Sequence, residues 1–178
     1  MTRMNKLLLP LTVLLGAALF LAGVMADRPG SPEAGVFPMA EDITAARMIP
    51  GGEEEGAQSP VDLNLQHDDK NRLEIARILY WLSVGTLQGG LSRQPLPSGG
   101  PEQLVMETAD GTVLTLTNAV DRIAVPAQDS WLTTGVSVPQ TVNVRINDMA
   151  GRITAPDLKR WMEEDLPRRI EESRKAPQ

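Results

Sequence analysis

The side chains that could carry chemistry are few in this sequence. There is one histidine, His67, and it stands beside Asp68 and Asp69. A histidine oriented by a carboxylate can act as a general base, but it needs a nucleophile within reach, and the serines and threonines here lie in no nucleophile-elbow pattern. One histidine also supplies too few ligands for a typical zinc site. Glu163, Glu164 and Asp165 offer paired carboxylates near the C-terminus. On the outer face of a helix such groups are solvated charge. Glu53, Glu54 and Glu55 are adjacent rather than spaced around a turn, so they lack the alternating ligand pattern of a calcium loop. Asp110-Gly111 occurs once, and an aspartic-protease dyad requires two carboxylates sharing one site, so the pair reads as a turn. No glycine-rich stretch leads from a strand into a helix as a phosphate cradle does. With no cysteine, thiolate chemistry, zinc-thiolate sites and disulfides are excluded. No catalytic residue, cofactor or metal site is therefore assigned.

The elements that would position these groups begin with Leu7 to Ala26, an uncharged apolar run preceded by Arg3 and Lys6. Its length suits a helix across a hydrocarbon core of roughly 30 Å. Its charged start and its Val24-Met25-Ala26 ending also suit a secretory signal cleaved before Asp27. Either way Arg3 and Lys6 remain cytoplasmic and the rest of the chain is exported. The expected location is thus membrane-anchored and facing outside the cytoplasm, or secreted if cleaved after Ala26.

Residues 27–66 are dense in proline, glycine and glutamate and read as a disordered linker, too poor in apolar side chains to offset the entropy of ordering them. A random coil of that length reaches about 35 Å. Within it Val36-Phe37-Pro38-Met39 forms a small apolar island, and Phe37 is a candidate partner-binding residue. Residues 67–170 read as one domain. Ile75, Ile78, Leu79 and Leu82 follow a helical period, with Asp68, Asp69 or Asn71 as cap and Gly85 near the stop. Residues 88–102 carry several glycines and prolines and read as a long loop.

In 103–118 two β-prone runs flank Asp110-Gly111. A three-residue turn, Ala109 to Gly111 with Gly111 left-handed, pairs Met106 with Leu114 and Leu104 with Leu116, collecting the large apolar groups on one face. Short strands are expected at 123–125, ended by Pro126, and at 131–138, ended by Pro139. A half-buried strand is expected over 140–147. Thr154, Pro156 and Asp157 open a last helix whose apolar face is Leu158, Trp161, Met162 and Leu166; Pro167 should interrupt it, and Ile170 continues the stripe. Residues 171–178 read as a flexible tail.

The expected fold class is α+β: a small antiparallel sheet, hairpin plus meander, with a helix before it and a helix after it packed on one face, and an N-terminal apolar helix. Trp81, Trp131 and Trp161 are expected to meet in or near the core; an exposed aromatic platform is the functional alternative, and Trp131 joins Phe37 as a candidate partner surface. The net charge of −6 and a pI near 4.8 are of the wrong sign for binding nucleic acid. The membrane, through Leu7 to Ala26, and an envelope protein or wall component are the expected partners. The sequence therefore points to a non-enzymatic extracytoplasmic binding or assembly module on a membrane tether. The alternatives are a small secreted hydrolase using His67 or carboxylates, and a secreted inhibitor presenting residues 88–102.

Overall fold

A computed structural model describes residues 36–51, 59–127 and 130–175. Their organising element is a seven-stranded antiparallel sheet in the order β2-β1-β4-β5-β6-β7-β3. The strands are β1 (Ile43–Ile49), β2 (Val61–Leu63), β3 (Thr86–Ser92), β4 (Ser98–Thr108), β5 (Val113–Ala127), β6 (Ser130–Ile146) and β7 (Met149–Thr154). Helix α1 (Asp69–Val84) precedes β3. After β7 the chain forms α2 (Pro156–Arg160), a π-helical turn (Trp161–Asp165) and α3 (Leu166–Lys175).

Alternation along the strands builds one core. Ala46 and Met48, Leu104 and Met106, Leu114 and Leu116, Val142 and Val144, and Ile153 are buried on one face of the sheet. Against that face pack Ile75, Ile78, Leu79 and Leu82 of α1, together with Leu158, Trp161, Met162, Leu166 and Ile170 of the C-terminal helical segment. Where α1 meets that segment, the Trp161 indole N–H donates to Glu74 Oε1 at 2.8 Å, and the Arg169 guanidinium forms an ion pair with Glu74 Oε2. A buried carboxylate is tolerated here because it is paired and hydrogen-bonded. The opposite face carries polar pairs such as Arg47 with Glu107 at 2.9 Å.

The expected fold class is overturned. The sheet is not a small hairpin and meander confined to residues 67–170; it accounts for most of the described chain. Two of its strands, β1 and β2, come from the stretch read as linker. Ile43, Ala46 and Met48 give β1 enough buried apolar surface to hold a place between β2 and β4. Residues 88–102 are not a long loop, since β3 and the start of β4 occupy much of that stretch. Gly89 and Gly90, with φ of 70° and 80°, provide an irregularity within β3 rather than ending it. The N-terminal apolar helix, Leu7 to Ala26, lies outside the described residues, as do Glu53, Glu54 and Glu55.

The 103–118 hairpin has the register that apolar alternation requires. Leu104 faces Leu116, Met106 faces Leu114, and Gly111 has φ of 84°. Near Pro167 the chain widens into the π-helical turn, where the Leu166 N–H bonds to the Trp161 carbonyl five residues back. That rearrangement accommodates the ring and the missing N–H while keeping Ile170 buried.

Candidate partner-binding ribbon

Strands β5 and β6 are 15 and 17 residues long and outrun their neighbours. Pairing of β4 with β5 reaches only Ala119, and pairing of β7 with β6 stops at Thr141. From Val120↔Ser137 to Ala127↔Ser130 the two strands pair only with each other, forming a two-stranded ribbon that projects from the sheet. The strands expected to stop at Pro126 and Pro139 continue through both prolines. Pro126 lies on an edge of the ribbon, where no neighbouring strand requires its missing N–H, and Pro139 lies where β7 does not reach β6.

Cross-strand partners share a face. Asp121 with Val136, Ile123 with Thr134 and Val125 with Leu132 lie on the face turned away from the helices; Val120 with Ser137, Ala124 with Thr133 and Pro126 with Trp131 lie on the other. The first face therefore carries an apolar stripe of Ile123, Val125, Leu132 and Val136. Ile123 is 43% exposed, Leu132 59% and Val136 45%, while Trp131 at the tip is 71% exposed. Large apolar groups scattered singly on a surface need no explanation, whereas here four of them share one face of a projecting element.

A two-stranded hairpin is marginal on its own in water, and the root of this one is held from both faces. On the helical side Lys159, only 4% exposed, donates from Nζ to Asn118 Oδ1 at 3.1 Å and Ser137 Oγ at 2.9 Å. It also pairs with Glu163 Oε1 at 3.0 Å, so its three ammonium donors all have partners. On the opposite side Arg152 donates to Asp121 Oδ1 and to the Val120 carbonyl, each at 2.8 Å. Between these clamps the register shifts from Asn118 to Val120, and Gln140 adopts φ of 57°. These are the marks of a bulge that re-aims a strand.

The two candidate partner residues are not brought together. Trp131 is at the ribbon tip, whereas Phe37 packs half-buried against the core cluster and borders a cavity lined by Thr108 to Asp110, at the other end of β5. Fifteen residues of β5, at about 3.4 Å each, separate the ends by about 50 Å. Nor do the tryptophans meet. Trp161 is buried, Trp81 is half-buried with the Arg77 guanidinium 5.1 Å from its ring centroid, and Trp131 is in solvent. A tryptophan carried past the last neighbouring strand has no core to enter.

Several of the groups that could carry chemistry have structural partners. The Asp68 carboxylate caps α1 by accepting from the Lys70 N–H at 2.9 Å, and the His67 backbone N–H donates to Asn64 Oδ1 at 3.0 Å. Glu163 serves the ribbon root, Asp165 pairs with Arg168 at 2.7 Å, and Glu164 is exposed. Asp110 accepts from the Thr108 hydroxyl and from the Thr112 N–H, which together hold its carboxyl below the ordinary value. Among the described residues no group of three His, Asp or Glu is placed to hold a metal ion.

Sequence reasoning missed Lys159, Arg152 and the stripe of Ile123, Val125, Leu132 and Val136. The signal for the stripe was present in the separate β-prone runs at 123–125 and 131–138, but nothing local shows that these runs pair beyond the rest of the sheet. Comparison with protein-family models, curated proteins and solved structures finds no match for this chain.

Proposed function

We propose that this chain is a non-enzymatic extracytoplasmic binding or assembly module, tethered to the membrane through Leu7 to Ala26 and presenting the β5–β6 ribbon to a protein partner. The observation that carries this reading is the apolar stripe of Ile123, Val125, Leu132 and Val136 on an element clamped at its root by Lys159 and Arg152. Two cationic clamps fix the direction of an element that contributes nothing to the core, and a preordered surface loses less entropy on docking. Residues 36–39 begin the described chain beside the Asp110 turn, so the tip lies at the far end of β5 from them.

The test places a photoreactive residue at Trp131 or at Arg145 in the full-length chain in its native membranes. Crosslinking from position 131 to one reproducible protein product, lost on Leu132→Asp, is the expected result. Equal, unspecific products from both positions would remove the ribbon as the docking element.

A further inference from the structure

Helix α1 is apolar on two opposite sides. Ile75, Ile78, Leu79 and Leu82 face the core, and at about 3.6 residues per turn Leu73, Tyr80 and Val84 fall together on the side turned away from it. All three are exposed. A helix packed on one face ordinarily turns a polar face to water. Here the outward face is apolar with a cationic border: Lys70, Arg72 and Arg77 are exposed, and the Arg77 guanidinium lies over half-buried Trp81. Asp69 is the only exposed carboxylate of the helix, because Glu74 is buried against Trp161 and Arg169. An apolar stripe with tyrosine and tryptophan, edged by cations, is the pattern of a helix that lies in a membrane interface.

The start of the fold brings that face within reach of a membrane. The described chain begins at Val36, so only residues 27–35 separate it from the apolar run that ends at Ala26. Such a stretch spans at most about 32 Å. Ala40, Glu41, Ile43 and Thr44 share a cavity with Arg72 and Ile75 of α1. At 16 residues α1 is only about 24 Å long, so all of it lies near the end of the tether. A short connection raises the effective concentration of the two surfaces to the millimolar range, at which a weak interfacial attraction suffices. This step rests on the attachment through Leu7 to Ala26 proposed above. From it we infer that the outward face of α1 docks on the surface of the bilayer that holds the chain, with Leu73, Tyr80 and Val84 below the headgroups and Lys70, Arg72 and Arg77 against anionic ones. Charge selects this face. The chain as a whole carries −6, so an anionic surface repels most of it and attracts the face where three cations stand against one exposed carboxylate. Docking also sets the orientation of the ribbon. Its stripe of Ile123, Val125, Leu132 and Val136 is on the face turned away from the helices, so α1 lying on the membrane leaves the stripe open to a protein partner.

The absence of native cysteine allows labels at single positions. Full-length Leu73→Cys, Val84→Cys and Leu132→Cys chains carry an environment-sensitive fluorophore and are reconstituted into vesicles of mixed phosphatidylcholine and phosphatidylglycerol. Acrylamide, a neutral quencher, should quench the label at 73 and at 84 at least threefold less than at 132, and lipids brominated on their chains should quench only the first two. Arg77→Gln in the Val84→Cys chain should lower the ratio of docked to undocked helix about fivefold, the loss expected for one cation at an anionic surface. Equal acrylamide quenching at the three positions, or protection at 132 alone, would overturn docking by α1. Flotation with the vesicles is scored separately. A chain that floats with its helix labels in water keeps the anchor and loses the docked helix; a chain that does not float loses both.

Discussion

Replacing Lys159 with methionine isolates the clamp on the helical side of the ribbon. Methionine preserves much of the apolar stem and fills irregular space well, so the loss is that of the ammonium. Its bonds to Asn118 and Ser137 are charge-assisted, each contributing about 1.5–3 kcal/mol. The pair with Glu163 adds at most about 1 kcal/mol, because that carboxylate is 46% exposed. Against these stands the several kcal/mol of desolvating a buried ammonium, which methionine does not incur. Asn118 and Ser137 keep some access to water and recover part of their hydrogen bonding. The balance is a local loss of about 2 kcal/mol, which raises the open population at the root about thirtyfold. Amide hydrogen exchange of the full-length chain reads this directly. Peptides covering 117–123 and 134–140 should exchange about thirtyfold faster, while the centre of β4 around Leu104 to Met106 is unchanged. A uniform increase across the sheet, or none at the root, would refute the assignment of Lys159 as a local clamp.

Three further outcomes test the frame. Gly85→Ala should lower stability by about 1–3 kcal/mol in urea unfolding, because an added Cβ would lie 2.5 Å from Ile153 Cγ2 and 3.1 Å from the Thr154 carbonyl oxygen. Trp161→Phe should cost about 2 kcal/mol by the same measurement, since it removes the donor to buried Glu74 and leaves a small void. Asp110 is held below the ordinary carboxylate value by the Thr108 hydroxyl and then the Thr112 N–H. A depressed native value means that its stabilising contribution is complete above the ordinary value and is lost as pH falls through the depressed one. Carboxyl chemical shifts should therefore give a midpoint below that of a free aspartate, and Thr108→Val should move it upward.

What could be read from the sequence followed from local periodicity. The 103–118 register is determined by side chains within sixteen positions of each other, because a one-residue slip would turn Leu104, Met106, Leu114 and Leu116 to the wrong face. Ile75, Ile78, Leu79 and Leu82 mark their helix for the same reason. Strand β1 was illegible because its partner β4 lies about sixty positions away and its burial depends on that partner. Strand β3 was hidden by glycines that bend an edge strand as readily as they end one. For the ribbon, Pro126 and Pro139 are stop signals only inside a sheet, and no local pattern says where the neighbouring strands end. Lys159 was hidden for a related reason: a lysine in a charged helix is ordinarily solvated, and only the fold places Asn118 and Ser137 against it.

The strand order also dictates a sequence of folding events. β4, β5, β6 and β7 are consecutive neighbours joined by short turns, so their loops close with little entropy loss. β1 can pair early only with the short β2 and reaches its place in the sheet when β4 forms, and β3 can join only after β7, about sixty positions further on, has formed. In a chain that emerges N-terminus first, β1 has only the three-residue β2 to pair with early, and β3 has no strand partner until β7 forms. A binding factor that shields Ile43 to Ile49 until Thr108 has emerged would raise the yield of folded protein, and its influence should vanish once β4 has paired.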